Sequence, residues 1–586
     1  MIRLRWFVAT LPLALLALFA YAAFEWLFFV TKPSSVSVLP MGERLLVLIQ
    51  APVPFVPLLC LVQLAASALS LFAFPRLRAL ALVPAAAVLA ALVLILTDNF
   101  LYAIFRISVA SSESFARVAY VTIIVASFVL WLRKLDAELA RVSRRAIVAM
   151  WCVAVAVTGF GGVVIALQQQ PAAGVPAFTH DRPNILLLSI DGIDAERLSV
   201  YGYARPTSPF LASIRGESLV AENAFSNGSQ TYTSLTSMLT GQLPFSSKVV
   251  VPPALLRGPG AFQHLPGIAR RSGYRTLQLT MRHFADAEDA GLRNGFERGN
   301  YRWENRLSTP LTERVYDVAR PFRLAAIDRL DARLGRILGI RGPAREYAHV
   351  IGEAEDPYWS DERRLRSLDA FLAGAQPWMA HVHLLDTHFG EYQKKGVEDY
   401  DAALREADER VRQIFGTLRR TAQLERTIVV ITSDHGSNWL TTSRVPLLIR
   451  FPRGAHARSE SRNVQLVDIV PTILAYAGVP RPAWLDGSSL LRPQDVPPDR
   501  MIAAVAASGP ALQQEIFVID VPRPPNHGAR TVSAIIGSTW YVVDLANGAM
   551  TSGAVAGHTR PQPPLAREEA MRRIGAFLRA AGFRIG

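Results

Sequence analysis

Four polar residues combine the side-chain types that can hold a divalent cation and carry out a nucleophilic substitution. Asp191 follows the apolar run 184–190, and Asp434 and His435 follow the run 427–432 in the motif TSDHG. Thr231 lies in a turn rich in Gly, Ser and Thr that leads into a predicted helix. Two carboxylates, one imidazole and one hydroxyl form a mixed oxygen and nitrogen set suited to one divalent metal ion. A bound metal would lower the pKa of the Thr231 hydroxyl and offset charge on a tetrahedral oxyanion.

Histidines near the predicted strands are further candidates. His388 follows the run 378–385 in LDTHFGEY, where it could bind the oxyanion or protonate a leaving oxygen. His381 and His383 alternate along that run, and we predict packing or structural roles for them rather than metal binding. For His283, in TMRHF, structural and functional roles stay equally open. Taken singly, all the candidates also fit ordinary roles, because strand-ending Asp and helix-opening Thr are common capping residues. Spacing alone therefore leaves the metal site as one of two interpretations.

The elements that must position these residues follow an α/β pattern. Short apolar runs at 184–190, 275–280, 378–385, 427–432 and 445–449 alternate with helical stretches such as 402–417. This alternation predicts a largely parallel sheet with helices on both faces. Ligands of such sheets gather beyond the carboxyl ends of the strands, which is where the candidate residues lie in the sequence.

Residues 1–168 contain five apolar segments that we predict to be transmembrane helices. The segments lie at about residues 6–30, 45–74, 79–105, 114–132 and 146–168. About 20 apolar residues are enough for a helix to cross the hydrocarbon core of a bilayer. A cleaved signal peptide is the alternative for the first segment, but no small-residue cleavage site follows it and four more segments do.

Positive charges are concentrated on one side of these predicted helices. One set of loops carries nine cations and the opposite set four: Arg3, Arg5, Arg76, Arg78, Arg133, Lys134, Arg141, Arg144 and Arg145 against Lys32, Arg44, Arg106 and Arg117. Because cytoplasmic loops carry the excess of Lys and Arg, we expect a cytoplasmic N-terminus. Five crossings then place everything after a polar linker at 169–181 outside an inner (plasma) membrane, in the periplasm or the extracellular space.

Glu25 and Asp98 are acidic residues near the outer ends of the first and third segments. One interpretation is solvation at the membrane interface, and the other is a polar rim that receives a lipid headgroup. The sequence favours neither decisively.

Composition excludes several classes of protein. With 586 residues the chain is too long for one ordinary domain, and 51% hydrophobic residues rule out a mostly disordered protein. Two cysteines exclude a disulfide framework and a Cys-rich zinc module. The net charge of +14 is not gathered into a dense basic run with interleaved aromatics, so we expect no nucleic-acid partner. The sequence leaves the oligomeric state open.

Past the linker we predict a catalytic domain over 182–495 and a C-terminal subdomain over 496–586. The latter contains a hairpin with Asn547-Gly548 at its turn and a packed amphipathic helix at 567–579. Residues 300–375 are basic and helix-prone, and the sequence assigns them no role.

A series of motifs runs through most of 182–491: RPNILLLSIDG, NGSQTYTSLTSMLTGQLP, GYRTLQL, WMAHVHLLDTHFGEY, TIVVITSDHG, RVPLLIRFP and VDIVPTILAYAGVP. As an ordered set they resemble the sulfatase-like branch of the alkaline phosphatase superfamily. The resemblance implies an exported α/β alkaline-phosphatase-like (sulfatase-like) domain behind an N-terminal five-helix transmembrane bundle. It implies Asp191, Thr231, Asp434 and His435 as metal ligands, Thr231 also as nucleophile, and His388 as a substrate contact. The cofactor would be one divalent metal, zinc or manganese, with calcium and magnesium also open.

The surroundings of Thr231 depart from those of sulfatases. Sulfatases carry a modifiable Cys or Ser in a C/S-x-P-x-R context, whereas this chain has Thr231 followed by Leu235 in place of the Arg. A Thr nucleophile, a single acid in Asp191-Gly192 and five helices instead resemble membrane phosphoethanolamine and phosphoglycerol transferases, of the lipid A phosphoethanolamine transferase and lipoteichoic acid synthase type. That resemblance implies a membrane phospholipid as donor, a phospho-threonine intermediate, and an outer-surface glycan or lipid as acceptor.

The loop after the TSDHG motif is short, running only from Ser437 to Ser443 before the next motif. Relatives usually carry a further His or Lys there, so we expect Arg282, His283 or Arg444 to supply a substrate contact in its place. Two alternatives to the transferase stay open. One is a membrane-anchored phosphodiesterase or phosphatase that uses water as acceptor, and the other is a non-catalytic protein that binds envelope lipids.

Overall fold

The computed structural model describes residues 2–32, 34–72, 77–105, 109, 114–167, 176–178, 182–281, 285–300, 318–340, 360–374, 377–387, 397–492, 494, 496, 497, 500–507, 511–513, 516–518 and 522–586. The chain divides into two compact units. Unit 1 contains Met1–Pro171, Leu307–Asp356 and Leu512–Phe517, and unit 2 contains Ala172–Arg306, Pro357–Ala511 and Val518–Gly586.

The α-helices of the described residues are numbered along the chain. They are α1 Ile2–Thr31, α2 Met41–Gln50, α3 Val56–Phe72, α4 Val83–Phe105, α5 Ser114–Arg141, α6 Arg144–Leu167, α7 Pro209–Ser213, α8 Thr231–Thr240, α9 Pro244–Ser247, α10 Leu265–Arg271, α11 Arg320–Ile337, α12 Asp361–Leu372, α13 Val397–Arg420, α14 Ile469–Tyr476 and α15 Arg567–Ala580.

Unit 1 contains five helical segments that are long and apolar enough to cross a membrane, as predicted. Their bounds are Val8–Thr31, Met41–Leu71, Arg78–Leu101, Arg117–Leu139 and Arg144–Leu167. The second segment consists of α2 and α3 joined by a 3₁₀ turn at Val53–Phe55. Pro52 precedes this turn and Pro54 lies within it, and proline cannot donate the backbone hydrogen bond that an uninterrupted helix requires.

Helix α11 belongs to unit 1 and binds the two acidic residues of the apolar segments. Arg333 Nε lies 2.6 Å from Asp98 Oδ2, and Arg329 Nε lies 3.7 Å from Glu25 Oε2. Arg329 also donates to Asn99 Oδ1 at 2.8 Å. Both carboxylates are 0% exposed, which fits neither interpretation from the sequence, solvation at the interface or a polar rim that receives a lipid headgroup. The helix also gives structure to part of the stretch 300–375, whose role the sequence left open.

Unit 2 is built around a large sheet. The strands of the described residues are β1 Asn184–Ile190, β2 Leu219–Phe225, β3 Arg275–Leu279, β4 Arg298–Gly299, β5 Trp378–Leu384, β6 Thr427–Ser433, β7 Leu447–Arg450, β8 Arg458–Gln465, β9 Ile502–Ala507, β10 Ala511–Gln513, β11 Ile516–Val518, β12 Ala529–Ile536, β13 Thr539–Asp544 and β14 Met550–Ala554. The strands β10 and β11, most of whose residues belong to unit 1, form a separate pair.

Eight strands form this sheet in the order β4-β3-β5-β1-β6-β7-β2-β8. The sheet is largely parallel as predicted, but β7 runs antiparallel to both β6 and β2. Strands β1, β5 and β6 are buried along their whole length, which explains their continuous apolar runs. Helices α12 and α13 pack Leu368, Phe371, Val411 and Phe415 into the apolar core beside these strands.

A smaller antiparallel sheet follows, with the order β14-β13-β12-β9. Strands β13 and β14 form the predicted hairpin, in which Gly548 adopts a positive φ of 70° at the turn. Helix α15 packs Ala570, Ile574 and Leu578 against this sheet, so the predicted packed helix is confirmed.

Candidate metal centre and nucleophile

Parallel pairing brings Asp191 and Asp434 to the same edge of the sheet. Strands β1 and β6 are adjacent and parallel, and Ile190 is the register partner of Ser433. The residues that follow these partners, Asp191 and Asp434, therefore leave neighbouring strands side by side. Ser433 fastens the two strand ends together, because its hydroxyl donates to the Ile190 carbonyl at 2.7 Å and accepts from the Ile193 amide at 2.8 Å.

Asp191, Asp434 and His435 form one compact group. One ligand atom from each of the three side chains lies within 4.8 Å of the other two. His435 Nε2 is 3.4 Å from Asp434 Oδ2 and 3.9 Å from Asp191 Oδ1. None of the three residues is more than 2% exposed. The structure thus joins three of the four predicted metal ligands.

The hydrogen bonds of Asp434 show that this group fits a cation. Asp434 Oδ1 accepts from the backbone amides of Gly192 and His435, at 3.1 and 2.9 Å. Asp434 Oδ2 is buried and finds no hydrogen-bond donor among the described residues. Two ligands about 2.0–2.1 Å from a tetrahedral zinc ion lie about 3.3–3.4 Å apart, close to the 3.4 Å between Oδ2 and His435 Nε2. A divalent cation would therefore satisfy an oxygen that the protein leaves open.

The negative charge of the two aspartates raises the pKa of His435. Burial lowers the pKa of its imidazole, but the negative charges of Asp434 and Asp191 and the Gly436 carbonyl outweigh burial, so the pKa lies above its usual value. His435 Nδ1 is 3.0 Å from that carbonyl. When Nδ1 donates to it, Nε2 keeps its lone pair for a metal ion.

Thr231 is the first residue of α8, and its hydroxyl faces this group. Oγ1 lies 3.5 Å from His435 Nε2. Thr231 is partly exposed, whereas Tyr232–Thr240 are all buried. Ser234, one turn further along α8, donates its hydroxyl to the backbone carbonyl of Asp434 and so ties the helix to the end of β6. A partly exposed hydroxyl is thus held at the start of a helix that is otherwise buried.

The loop before Thr231 is held by backbone hydrogen bonds to β9. Ser229 donates its amide to the Val505 carbonyl at 3.0 Å, and the Val505 amide donates to the Asn227 carbonyl at 3.2 Å. The Asn227 side chain also donates to Gln465 Oε1 at 3.0 Å. Strand β9 therefore takes part in positioning the candidate nucleophile, a role that the sequence did not indicate.

Two further residues shape the site. Gly192 has a φ of +60°, a conformation that L side chains rarely adopt, and a Cβ there would contact the His435 ring. Asp194 accepts hydrogen bonds from the amide and the hydroxyl of Ser437, which anchors the short loop after His435. Burial raises the pKa of Asp194, while the Ser437 hydrogen bonds oppose the rise. The signal for Asp194 in the sequence was its place three residues after Asp191.

Several predicted contacts cannot be placed. His388, Arg282 and His283 lie outside the described residues. The chain just before His388 is well held, since Thr387 donates its hydroxyl to the Asp191 carbonyl at 2.6 Å. Arg444 is described, and its guanidinium donates to the backbone carbonyls of Ala556 and Glu222, at 2.9 and 2.8 Å. Arg444 thus has a structural role in place of the predicted substrate contact.

His381 and His383 are completely buried in β5. Both rings are hydrogen-bonded to the Ser189 hydroxyl, at 3.0 and 2.9 Å, in line with the predicted structural role. His383 Nε2 also lies 3.5 Å from Asp191 Oδ2, which the sequence did not indicate.

Comparison with known proteins gives a consistent set of similarities. The family described as Sulfatase matches residues 183–479, about half of the chain. Arylsulfatase K from Danio rerio is 26% identical over 363 residues, covering 53% of this chain and 68% of that protein. The N-acetylglucosamine-6-O-sulfatase of Bacteroides thetaiotaomicron is 34% identical over 107 residues, covering 16% of this chain and 19% of that protein.

Solved structures are similar over a larger share of the chain. The phosphonate monoester hydrolase of Agrobacterium radiobacter matches with a TM-score of 0.46 and 17% identity, covering 69% of this chain and 96% of that one.

Proposed function

The chain belongs to the sulfatase family, and on that premise we propose that unit 2 is a metal-dependent phosphotransferase that moves a phospholipid headgroup through a phospho-threonine at Thr231. The expected class of enzyme, one acting on sulfate or phosphate esters, follows from family membership. The proposal concerns the type of ester, the nucleophile and the acceptor.

The observation that carries the proposal is the partly exposed Thr231 hydroxyl, 3.5 Å from His435 Nε2 in the group with Asp191 and Asp434. A divalent cation held by these residues supplies positive charge that lowers the pKa of a hydroxyl and offsets charge on phosphoryl oxygens. The amides of the first turn of α8 add the positive end of a helix dipole, which favours an anionic phosphate group.

In the first half-reaction, the Thr231 oxygen forms a bond to phosphorus and the bond from phosphorus to the diacylglycerol oxygen breaks. Thr231 loses its proton to solvent, and the departing diacylglycerol oxygen gains a proton from His388, which is the role we assign to that residue. In the second half-reaction, a hydroxyl oxygen of an outer-surface glycan or lipid forms the new bond to phosphorus and gives its proton to His388. The bond from phosphorus to the Thr231 oxygen breaks, and Thr231 takes up a proton from solvent.

Phosphate rather than sulfate is supported by the residues around the nucleophile. Thr231 cannot be converted into the aldehyde that sulfatases make from Cys or Ser. Leu235 is 2% exposed and apolar, so the guanidinium that sulfatases place there is lost. A phospholipid donor is supported by the five apolar segments of the same chain, which would hold an attached domain at a bilayer surface. We place that surface on the outer side of an inner membrane.

Intact-mass spectrometry of the full-length protein in detergent tests the proposal. The protein is incubated with zinc or manganese and with phosphatidylethanolamine or phosphatidylglycerol, beside the variants Thr231→Ala and Thr231→Ser. We expect a mass increase of one phospho-headgroup in the wild type, a slower increase in the serine variant, and none in the alanine variant. The donor that gives the adduct identifies the headgroup.

The same experiment separates the alternatives. Release of free headgroup phosphate without transfer to an added glycan or lipid would identify a phosphodiesterase or phosphatase. Absence of both adduct and bound metal would overturn the proposal in favour of a non-catalytic protein that binds envelope lipids.

A further inference from the structure

A row of hydrogen-bonded side chains crosses three neighbouring strands and ends at Asp191. It runs from Gln278 on β3 to His381 and His383 on β5, with Ser189 of β1 between the two rings. The register explains the row, because Gln278 pairs with His381 and Ser189 pairs with His383. All four side chains are at most 1% exposed. Most buried polar groups are hydrogen-bonded, so each atom of such a row constrains the proton positions of its neighbours.

At the end of the row away from Asp191, backbone hydrogen bonds fix the orientation of the Gln278 side-chain amide. Gln278 Oε1 accepts from the Ala287 amide at 3.0 Å, and Gln278 Nε2 donates to the Ala285 carbonyl at 3.1 Å. These two backbone groups decide which end of the side-chain amide is oxygen and which is nitrogen. The second hydrogen of Nε2 therefore points at His381 Nδ1, which is 3.3 Å away and must accept it.

The orientation of Gln278 then determines which atom donates in each of the following hydrogen bonds. Burial lowers the pKa of His381 to about 3, and the nearby His383 adds to this, so the ring is neutral. With Nδ1 accepting, its single proton lies on Nε2, which donates to the Ser189 hydroxyl at 3.0 Å. Ser189 has one hydrogen to give, and His383 Nδ1, at 2.9 Å, is the acceptor that it contacts. If His383 instead carried its proton on Nδ1 and donated it to Ser189, the serine proton would have no acceptor in the row. The lone pair of His383 Nε2 would then face the Asp191 carboxylate.

From this we infer that His383 is a positioning residue, which presents an N–H to Asp191 Oδ2 and so leaves Asp191 Oδ1 on the side of His435, where it could bind a metal ion. His383 Nε2 is buried and has no hydrogen-bond partner among the described residues, and Asp191 Oδ2, 3.5 Å away, is the carboxylate oxygen that it approaches. Asp191 Oδ1 faces His435. The inference rests on the proposed metal site and adds to it, since it divides the two oxygens of Asp191 between a protein donor and the cation. A ring that carries its proton on Nε2 cannot itself be a metal ligand through that atom.

Metal affinity of the metal-stripped, full-length protein in detergent is the first test, with zinc in competition with a coloured chelator. Loss of an outer-shell partner typically costs about 10–100-fold in metal affinity. We expect His383→Phe to fall in that range and Ser189→Ala to lose about tenfold. His383→Gln, whose amide nitrogen can take the place of ring Nε2, should restore part of the loss. Thr427→Val is the matched control, because it also removes a buried hydroxyl from the central sheet, where Thr427 donates to the Gln423 carbonyl at 2.8 Å. Its affinity should equal that of the wild type.

Nitrogen NMR of ¹⁵N-histidine-labelled full-length protein in lipid is the second test. It reports the protonated nitrogen of each ring, independently of catalysis. We expect both His381 and His383 to carry the proton on Nε2, and Ser189→Ala to change the signals of His383 while Thr427→Val leaves them unchanged. A proton on His383 Nδ1, or wild-type zinc affinity in both His383→Phe and Ser189→Ala, would overturn the inference. A wild type that binds no metal would instead overturn the proposed function, and the NMR result would still decide the direction of the row.

Discussion

The two carboxylate oxygens of Asp434 have different surroundings, since one accepts backbone hydrogen bonds and the other is left for a cation. Oδ1 holds the amides of Gly192 and His435, while Oδ2 is buried without a donor among the described residues. Asp434→Asn keeps an acceptor for the two amides but removes the negative charge that a cation needs. We expect metal affinity to fall by more than about 100-fold, beyond the usual effect of an outer-shell substitution.

Calorimetric titration of zinc into the metal-free variant checks this expectation, with circular dichroism to confirm that the fold is retained. Near wild-type zinc affinity in Asp434→Asn would contradict the assignment of Asp434 as a ligand.

The raised pKa of Asp386 predicts that the free energy of unfolding depends on pH. Burial raises the pKa of its carboxyl to about 7, and the charge of Asp361 adds to the rise while Arg410 opposes it. The pKa in the unfolded chain is lower, about 3.9. The folded state therefore binds the proton more tightly, and this stabilisation is complete below about pH 4 and is lost as the pH rises through 7.

Asp386→Asn should flatten this profile. We expect the difference in unfolding free energy between pH 5 and pH 8 to be smaller in the variant than in the wild type. Urea unfolding at the two pH values measures it, and Asp369→Asn on the exposed side of α12 is the control, which should keep the wild-type difference. An unchanged profile in Asp386→Asn would count against the role of burial at this site.

At the scale of elements, helix α11 is joined to the apolar segments by buried ion pairs. Arg333 and Asp98 are 3% and 0% exposed, and Asp98 also accepts from the Val109 amide at 2.8 Å. Removing one partner leaves a buried charge uncompensated, which typically costs about 3–5 kcal/mol. We expect Arg333→Ala to destabilise unit 1 by that amount. Arg366→Ala, which breaks the exposed pair with Glu362, should cost at most about 1 kcal/mol.

Thiol labelling during heating can measure this effect in unit 1 specifically. The two cysteines of the chain, Cys60 and Cys152, lie in α3 and α6. Cys152 is exposed, so both variants are made in a chain that lacks it, and labelling of the partly buried Cys60 with a fluorescent maleimide should begin at a clearly lower temperature in Arg333→Ala than in Arg366→Ala. Equal onset temperatures would show that the buried pair adds little stability.

The elements also show which parts of the structure could be predicted. Continuous apolar runs identified β1, β5 and β6 and placed Asp191 and Asp434 at their ends, because buried parallel strands leave this pattern in a sequence. The role of α11 could not be predicted, since Arg333 and Asp98 are 235 positions apart and no local pattern connects them. The antiparallel direction of β7 depends on the path of its connection. The inferred positioning role of His383 depends on which atoms donate and which accept along a row of side chains on β3, β5 and β1. The sequence does not show that these side chains are neighbours.

For the whole molecule, metal binding should raise thermal stability. A ligand that binds only the folded state at 100 times its dissociation constant stabilises a protein by about 2.7 kcal/mol. We expect a chelator to lower the melting temperature of the wild-type protein and zinc to restore it. Asp434→Asn should show the same lower temperature with and without chelator. A wild type that is insensitive to chelator would argue against a resident metal.

Orientation in the membrane can be tested on the whole chain. In a variant without Cys60 and Cys152, we introduce either Asn547→Cys at the exposed β13–β14 turn or Ser143→Cys between α5 and α6. A membrane-impermeant maleimide added to intact cells, after permeabilisation of any outer membrane, should label the first and not the second. The reverse pattern would overturn the proposed cytoplasmic N-terminus.

The clamp between Val505 and the loop before Thr231 has a consequence for how this protein can change over time. The family match ends at residue 479, but β9 begins at Ile502. A recombination event that exchanged only the matched segment between relatives would import the candidate nucleophile and leave behind the strand that holds the loop before it. Because these contacts are made by backbone groups, the clamp would be kept only where the recipient chain supplies a strand in the place of β9.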